Sequence, residues 1–314
     1  MHRSGTSAST GALQCVGVQL GEKLYAGHSD VNAKGYFEHS DIADTNEEVL
    51  LRLGSAWDDV LIKPDGWWKR AELRPFADKM RGYIRRDFSN SQLWAVKDPR
   101  VCRLLPWWLE IFKAEGISPH FLFVVRSPQD VYGSLQRRDG FSREKSYMLW
   151  LLHYLEAEAG SRGYPRTFSS FDHFLEDPQG ELRRIEQQLG LRFPISVESA
   201  GACLGQFLSK DLRHHQAGEV GEMPESVLVG LAHQLDARLR SATQAAEATL
   251  DTTDLYQQVQ TLQSGLDALL VEQLRSVGVR RGEVELTVHR LMRSWSWFTG
   301  KPVRVVERLF GRDV

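Results

Sequence analysis

The chain has 314 residues, a net charge of -2, 42% hydrophobic and 25% charged residues. That length supports one sizeable α/β domain with an appendage, and the near-neutral balance makes no overall case for a nucleic-acid partner. No apolar run approaches the ~20 residues of a spanning helix, and no basic-then-apolar leader opens the chain. The three cysteines, Cys15, Cys102 and Cys203, are far apart and show neither metal-ligand spacing nor an even disulfide set. That pattern points to a reducing compartment and a cytoplasmic setting.

In chain order, Leu13, Val16 and Leu20 recur at helical spacing, and Gly21 is the expected end of that helix. Residues 24–27 read as a short strand and residues 35–38 as a loop. A helix is expected over 44–53, with Asp44 or Thr45 as its cap, and another over 70–88. Residues 93–97 form a compact strand candidate closed by Pro99, and 101–115 return to helical spacing. The apolar run 120–125 is the strongest strand signal and fits a buried parallel strand. Helices over 129–138 and 143–160 follow, then a strand over 167–171. Alternating strands and helices imply a parallel sheet flanked by helices, with ligands at the carboxyl ends of its strands.

The character changes near residue 218, dividing an α/β domain (1–218) from a helical extension (219–314). Residues 241–274 hold no Lys or Arg, and Leu255, Val259, Leu262, Leu266 and Leu269 step by four and three. Such a coiled-coil-like seam joins two copies of the chain or packs as a hairpin on its own domain. Residues 286–314 reverse the sign, interleaving Arg290, Arg293, Lys301, Arg304 and Arg308 with Trp295, Trp297, Phe298 and Phe310. A segment of this kind lies peripherally on an anionic membrane surface, or docks on the acidic helix before it.

The chemistry concentrates in two loops. His2-Arg3-Ser4-Gly5-Thr6-Ser7 reads as a phosphate loop opening a helix. Gly5 permits a tight turn and close approach of an anion, Ser4, Thr6 and Ser7 supply hydroxyls, and Arg3 supplies fixed charge beside a helix N-terminus. Met1 and His2 alone precede it here, whereas a buried strand normally feeds such a loop; about six apolar residues upstream are the expected source of that missing first strand. In the second loop Arg126 leaves the end of the apolar run, Pro128 opens a helix, and Ser134 follows eight residues after Arg126. Arg126 suits a bidentate phosphate contact and Ser134 a hydroxyl contact; a surface arginine capping the strand end is the plainer alternative. Lys210, Arg213, His214 and His215 form a further basic cluster, a lid over an anion or a solvated turn.

Taken together, residues 2–7 and 124–134 resemble the two nucleotide-binding motifs of the sulfotransferases that use 3′-phosphoadenylyl sulfate. Residues 35–38, Lys97-Asp98-Pro99-Arg100 and 171–178 look like segments of the bacterial carbohydrate-type members, and the resemblance covers roughly residues 2–215. It implies a P-loop-like α/β fold, a phosphosulfate held at Arg3, Ser4, Gly5, Thr6 and Ser7, a 3′-phosphate held by Arg126 and Ser134, no metal, and a glycan or glycolipid hydroxyl as acceptor. Lys97 is a second cation for the departing nucleotide. Glu38 is the first choice as base, with Asp98 and His39 as competitors. Three positions depart from the pattern: Phe171 replaces a frequent Tyr, Arg3 a frequent Lys, and Pro99 the histidine base of small-molecule members. The alternatives are a small-metabolite P-loop kinase, disfavoured because no lysine lies in the loop, and a membrane-associated scaffold on a degenerate domain.

Overall fold

In a computed structural model, the described residues are 1–25, 36–208, 226–245 and 249–264, with the single positions Ser276 and Val284. The chain is α/β and mostly helical, with a small two-stranded parallel sheet. Its contacts divide it into two units, Met1–Asn46 with Val60–Gly265, and Glu47–Asp59 with Leu266–Val314. In the second, Ser55 closes the end of a helix by donating its N–H to the Leu50 carbonyl and its hydroxyl to Asp59.

The first unit opens with α1 (Thr6–Cys15), directly behind the Arg3–Gly5 turn. The expected stop at Gly21 comes earlier. Gly17 takes a φ of 87° and sends its N–H back to the Gln14 carbonyl, a left-handed exit that glycine adopts without strain. Val16 and Leu20 remain buried beyond it. α2 (Ser40–Arg52) starts four residues before its expected cap because the His39 ring accepts the N–H of Ile42. Asp44 and Thr45 therefore sit inside the helix, and Thr45 bonds back to the Asp41 carbonyl. Two 3₁₀ turns, Trp67–Lys69 and Ala71–Leu73, precede α3 (Arg74–Phe88). The apolar run forms β1 (Phe121–Val125), between α4 (Val101–Ala114) and α5 (Pro128–Asp139).

β1 pairs in parallel with β2 (Arg166–Ser170), in register from Phe121 opposite Arg166 to Val125 opposite Ser170, and the rings of Phe123 and Phe168 stack 4.7 Å apart. Phe171, expected to end that strand, instead opens α7 (Phe171–Glu176), capped by Ser170. The strand expected at 93–97 reduces to one parallel bridge, Trp94 with Gln19. A ladder needs several successive partners, and this segment finds a single one among the described residues. The strand expected at 24–27 likewise reduces to a bridge between Leu24 and His39; residues 26 and 27 lie outside the described residues, as do residue 35 and the basic cluster 210–215.

α6 (Arg143–Gly160) is the central helix, buried along most of its length, with α4, α5, α10 (Val227–Gln244) and α11 (Thr253–Ser264) packed on it. α8 (Pro178–Leu189) covers β2, and α9 (Gly201–Phe207) packs on α1. Beyond the division expected at residue 218, α10 and α11 both belong to the first unit. Of the leucine seam, Leu255 and Val259 are buried within the chain, Leu262 is exposed, and Leu266 and Leu269 lie outside the described residues, as does 286–314. No described helix is long and apolar enough to cross a membrane.

The cysteine expectation is corrected. Cys15 and Cys203 form a disulfide across 188 residues, leaving Cys102 as the free thiol. Linear spacing hid the pair because α9 folds back onto the end of α1, and the case for a reducing compartment made from that spacing falls with it.

At the far end of α6, the Glu158 carboxylate is buried and accepts from Arg162, Arg166 and the Thr252 hydroxyl, tying α6 to β2 and to the segment before α11. Burial pushes its carboxyl up, but the hydrogen bonds and charge of Arg162 and the bond from Thr252 outweigh it and hold the group below its ordinary 4.5. A depressed carboxyl stabilises the fold above that ordinary value and loses its contribution as pH falls through the lower folded value. Glu158→Ala is therefore expected to cost about 3 kcal/mol at pH 7, the size of breaking a buried ion pair. The gap from the parent chain, read by urea unfolding, should narrow steadily below pH 4.5.

Candidate functional site

The site begins at the turn before α1. Arg3 and Gly5 both adopt left-handed backbone, with φ of 64° and 85°, and Ser4 between them is fully buried. Gly5 caps α1 without any side-chain bond, so the helix N-terminus faces the loop with no side-chain cap of its own. Only glycine fits here, since a Cβ on Gly5 would lie 2.1 Å from the Phe171 ring. Successive N–H groups in a left-handed turn leading into a helix make an anion cradle. Thr6 and Ser7 are half-buried in the first turn; the Ser7 hydroxyl donates to the Tyr36 carbonyl at 3.3 Å.

The structure brings the second loop to the first. Arg3 donates from Nε to the Ser134 hydroxyl at 2.6 Å, and Arg126 donates from Nη1 to the Arg3 carbonyl at 3.1 Å. α5 delivers Ser134 because Ser127 caps it, accepting the Asp130 N–H, with Pro128 in the first turn. α6 braces the end of β1 from behind. Trp150 donates to the Arg126 carbonyl at 3.0 Å, and the Tyr154 hydroxyl donates to the Val124 carbonyl at 2.7 Å while lying 3.3 Å from the Ser4 hydroxyl. The Arg126 guanidinium sits 5.1 Å over the Phe171 ring. Burial holds the Arg3 guanidinium below its ordinary pKa, with the charges of Arg138 and Arg126 adding to the effect, and burial does the same to Arg126. The two loops thus bring partly desolvated cations together.

The remaining residues meet around Tyr36. Its carbonyl accepts from Lys97 Nζ at 2.9 Å as well as from Ser7, so the 2–7 loop, residues 36–38 and Lys97 share one atom. Lys97 pairs with Glu38 at 2.7 Å, and Arg100 lies 3.8 Å from the other oxygen of that carboxylate. Both Glu38 and Lys97 are largely shielded from solvent. Phe37 before Glu38 takes a left-handed φ of 56°, a strained state for an aromatic residue.

The two competing bases have other partners. Asp98 accepts from the Arg100 N–H, the Arg100 guanidinium and the Asn46 amide, each at 2.9 Å, and Trp108 on α4 fixes that amide through its oxygen. The Asp98 side chain is 1% exposed, placed to anchor the start of α4. His39 is buried, bonds Asp87 on α3 at 2.8 Å and caps α2 with its other nitrogen.

Sequence reasoning passed over several contributors. Tyr154 and Trp150 read as core positions of an apolar helix, and no local pattern marks Asn46. Arg100 lies inside the Lys97–Arg100 motif, whose spacing was the available signal. A separate cleft of about 450 Å³ opens beside α3 and α4, lined by Trp68, Arg74, Arg81 and Trp107 among others; no residue of the loop pocket lines it.

No protein-family model matches the chain, and neither a curated protein nor a solved structure does so.

The anchoring role of Asp98 has a direct check. Asp98→Ala should cost about 3 kcal/mol, because it leaves Arg100 and Asn46 without their buried acceptor. Asn46→Ala combined with it should cost clearly less than the sum of the two single changes in a double-mutant cycle.

Proposed function

We propose that the chain moves a sulfuryl group from 3′-phosphoadenylyl sulfate to a hydroxyl acceptor on a glycan or glycolipid, within a P-loop-like α/β fold. The observation that carries this reading is the bond from Arg3 to Ser134, with Arg126 on the Arg3 carbonyl. Two motifs read separately, 131 residues apart between Arg3 and Ser134, make one cationic pocket. A donor with anionic groups at both ends of one nucleoside matches a pocket of two basic loops. Arg126 and Ser134 would hold the 3′-phosphate, and Arg3, Ser4, Gly5, Thr6 and Ser7 the 5′-phosphosulfate. Gly5 leaves room for the Phe171 ring, and Phe171, lacking the hydroxyl of the sulfotransferases this chain resembles, supplies a ring face beneath Arg126.

In the reaction the acceptor oxygen bonds to sulfur as its proton passes to the Glu38 carboxylate. The bond from sulfur to the bridging oxygen breaks, and adenosine 3′,5′-bisphosphate leaves. Such in-line transfers are loose, and catalysis rests on positioning and on cations at the departing oxygen. Lys97 and Arg3 are those cations. Glu38 is the carboxylate of the cluster with a lysine partner, whereas Asp98 is committed to α4 and His39 to Asp87.

Adenosine 3′,5′-bisphosphate should raise the melting temperature of the intact chain, as any ligand selective for the folded state does. A shift with magnesium-ATP and none with the bisphosphate would instead favour the kinase reading. Arg126→Ala should weaken bisphosphate binding on the order of tenfold to a hundredfold, the range for a lost charged hydrogen bond.

Glu38→Gln should lower kcat by about a hundredfold or more, the usual share of a general base. Donor affinity should stay within about twofold, since Glu38 meets the acceptor rather than the nucleotide. Unchanged turnover in that variant removes Glu38 from the mechanism.

A further inference from the structure

Two rungs join α1 to α9. Cys15 is bonded to Cys203, and a Cβ placed on Gly11 would lie 2.1 Å from the ring of Phe207. Both pairs are four residues apart on their own helices, Gly11 with Cys15 and Cys203 with Phe207, so each pair shares one helix face. Gly11 lowers the helix propensity of α1 relative to alanine, and the ring of Phe207 occupies the space it leaves. The other side of that ring meets Phe37 edge-to-face, centroids 5.5 Å apart and planes at 86°. Phe37 is the strained left-handed residue between the Tyr36 carbonyl, shared by Ser7 and Lys97, and Glu38.

We propose that α9 is a disulfide-tethered positioning arm, in which Phe207 wedges against Phe37 and fixes the segment 36–38 against the phosphate loop. Phe207 is a positioning residue: it acts on Glu38 and Lys97 through Phe37 and touches no substrate. Strained backbone persists where surrounding packing over-determines it, and the edge-to-face contact supplies that packing. The tether keeps the wedge in place by fixing α9 on the helix that carries the phosphate loop. A dithiol reductant would release it: two electrons and two protons pass to the sulfurs, Cys15 and Cys203 become thiols, and the reductant becomes its own disulfide. The consequence for turnover rests on the sulfotransferase reading; the mechanical claim does not.

The experiment follows amide hydrogen exchange in the full-length chain, with turnover measured alongside. The Tyr25 N–H bonds the Glu38 carbonyl at 2.9 Å and the Ser40 N–H bonds the Lys23 carbonyl at 2.7 Å, so these amides report on the segment. In Phe207→Ala, in Gly11→Ala and after dithiothreitol, both should exchange on the order of tenfold faster, while β1 amides keep their protection. Phe207→Leu should restore most of the protection. Gly11→Ala is the decisive variant, because it improves helix propensity and acts by displacing the ring. Under the same changes kcat should fall several-fold with bisphosphate affinity unchanged. Unaltered exchange at Tyr25 and Ser40 in Phe207→Ala overturns the proposal, and so does equal acceleration across β1, which would mark general unfolding. If the parent chain neither binds the bisphosphate nor turns over, the functional reading fails, and the exchange result alone decides the arm.

Discussion

Two guanidinium groups share one partly buried pocket, and the local structure is arranged to tolerate them. Burial disfavours the charged forms of Arg3 and Arg126, with the charges of Arg138 and Arg126 adding to the effect on Arg3 and that of Arg137 to the effect on Arg126. Like charges in a low-dielectric setting repel far more strongly than in water. What holds them is a set of neutral acceptors. The Ser134 hydroxyl takes the Arg3 Nε–H, the Arg3 carbonyl takes an Arg126 N–H, and the Phe171 ring lies under the Arg126 guanidinium. Asp130, one turn along α5, stands 4.0 Å from Arg126 and offsets part of the charge.

That arrangement depends on backbone the sheet alone does not hold. β1 has its parallel partner in β2, and α6 secures its carboxyl end through Tyr154 and Trp150. The buried Ser4 hydroxyl lies against the same Tyr154, so one side chain registers both the end of β1 and the 2–7 loop. Gly5 and Phe171 complete the fit as a pair, since the ring occupies the volume any other residue at position 5 would need. Phe171 also offers a π face to the Arg126 guanidinium, 5.1 Å above it.

Much of this was legible in the chain itself, for physical reasons that differ by element. α4, α5 and α6 carry long periodic patterns with clear ends at Pro99, Pro128 and Ser142, and β1 is an unbroken apolar run between polar flanks. The segment 93–97 has the same local character as β1, but strand formation is decided by neighbours, and here the neighbour is Gln19 alone among the described residues. Arg3, Arg126 and Ser134 could be paired because residue type and an eight-residue spacing carried the resemblance. The disulfide could not, because no pattern links positions 188 apart. Asn46 and the Tyr36 carbonyl were equally hidden: one is an unremarkable helix residue, the other a main-chain atom whose role comes from what folds against it. His39 was named for its chemistry, yet its ring is occupied by Asp87 and the start of α2.

The pairing of Lys97 with Glu38 has a consequence for the order of events. In the resting site each masks the other: the ammonium donates to the carboxylate at 2.7 Å, and Arg100 adds positive charge on its far side. Each group is thus occupied by the other before any ligand arrives. On the proposed reading, a phosphosulfate entering the pocket competes with Glu38 for Lys97. As Lys97 turns towards the bridging oxygen it releases the Glu38 carboxylate to the acceptor hydroxyl. The Tyr36 carbonyl, which also accepts from Lys97, gives the ammonium a fixed pivot for that exchange. Carboxylate and leaving-group cation would then be freed by a single event, donor binding, and an acceptor alone would meet a carboxylate still paired with Lys97.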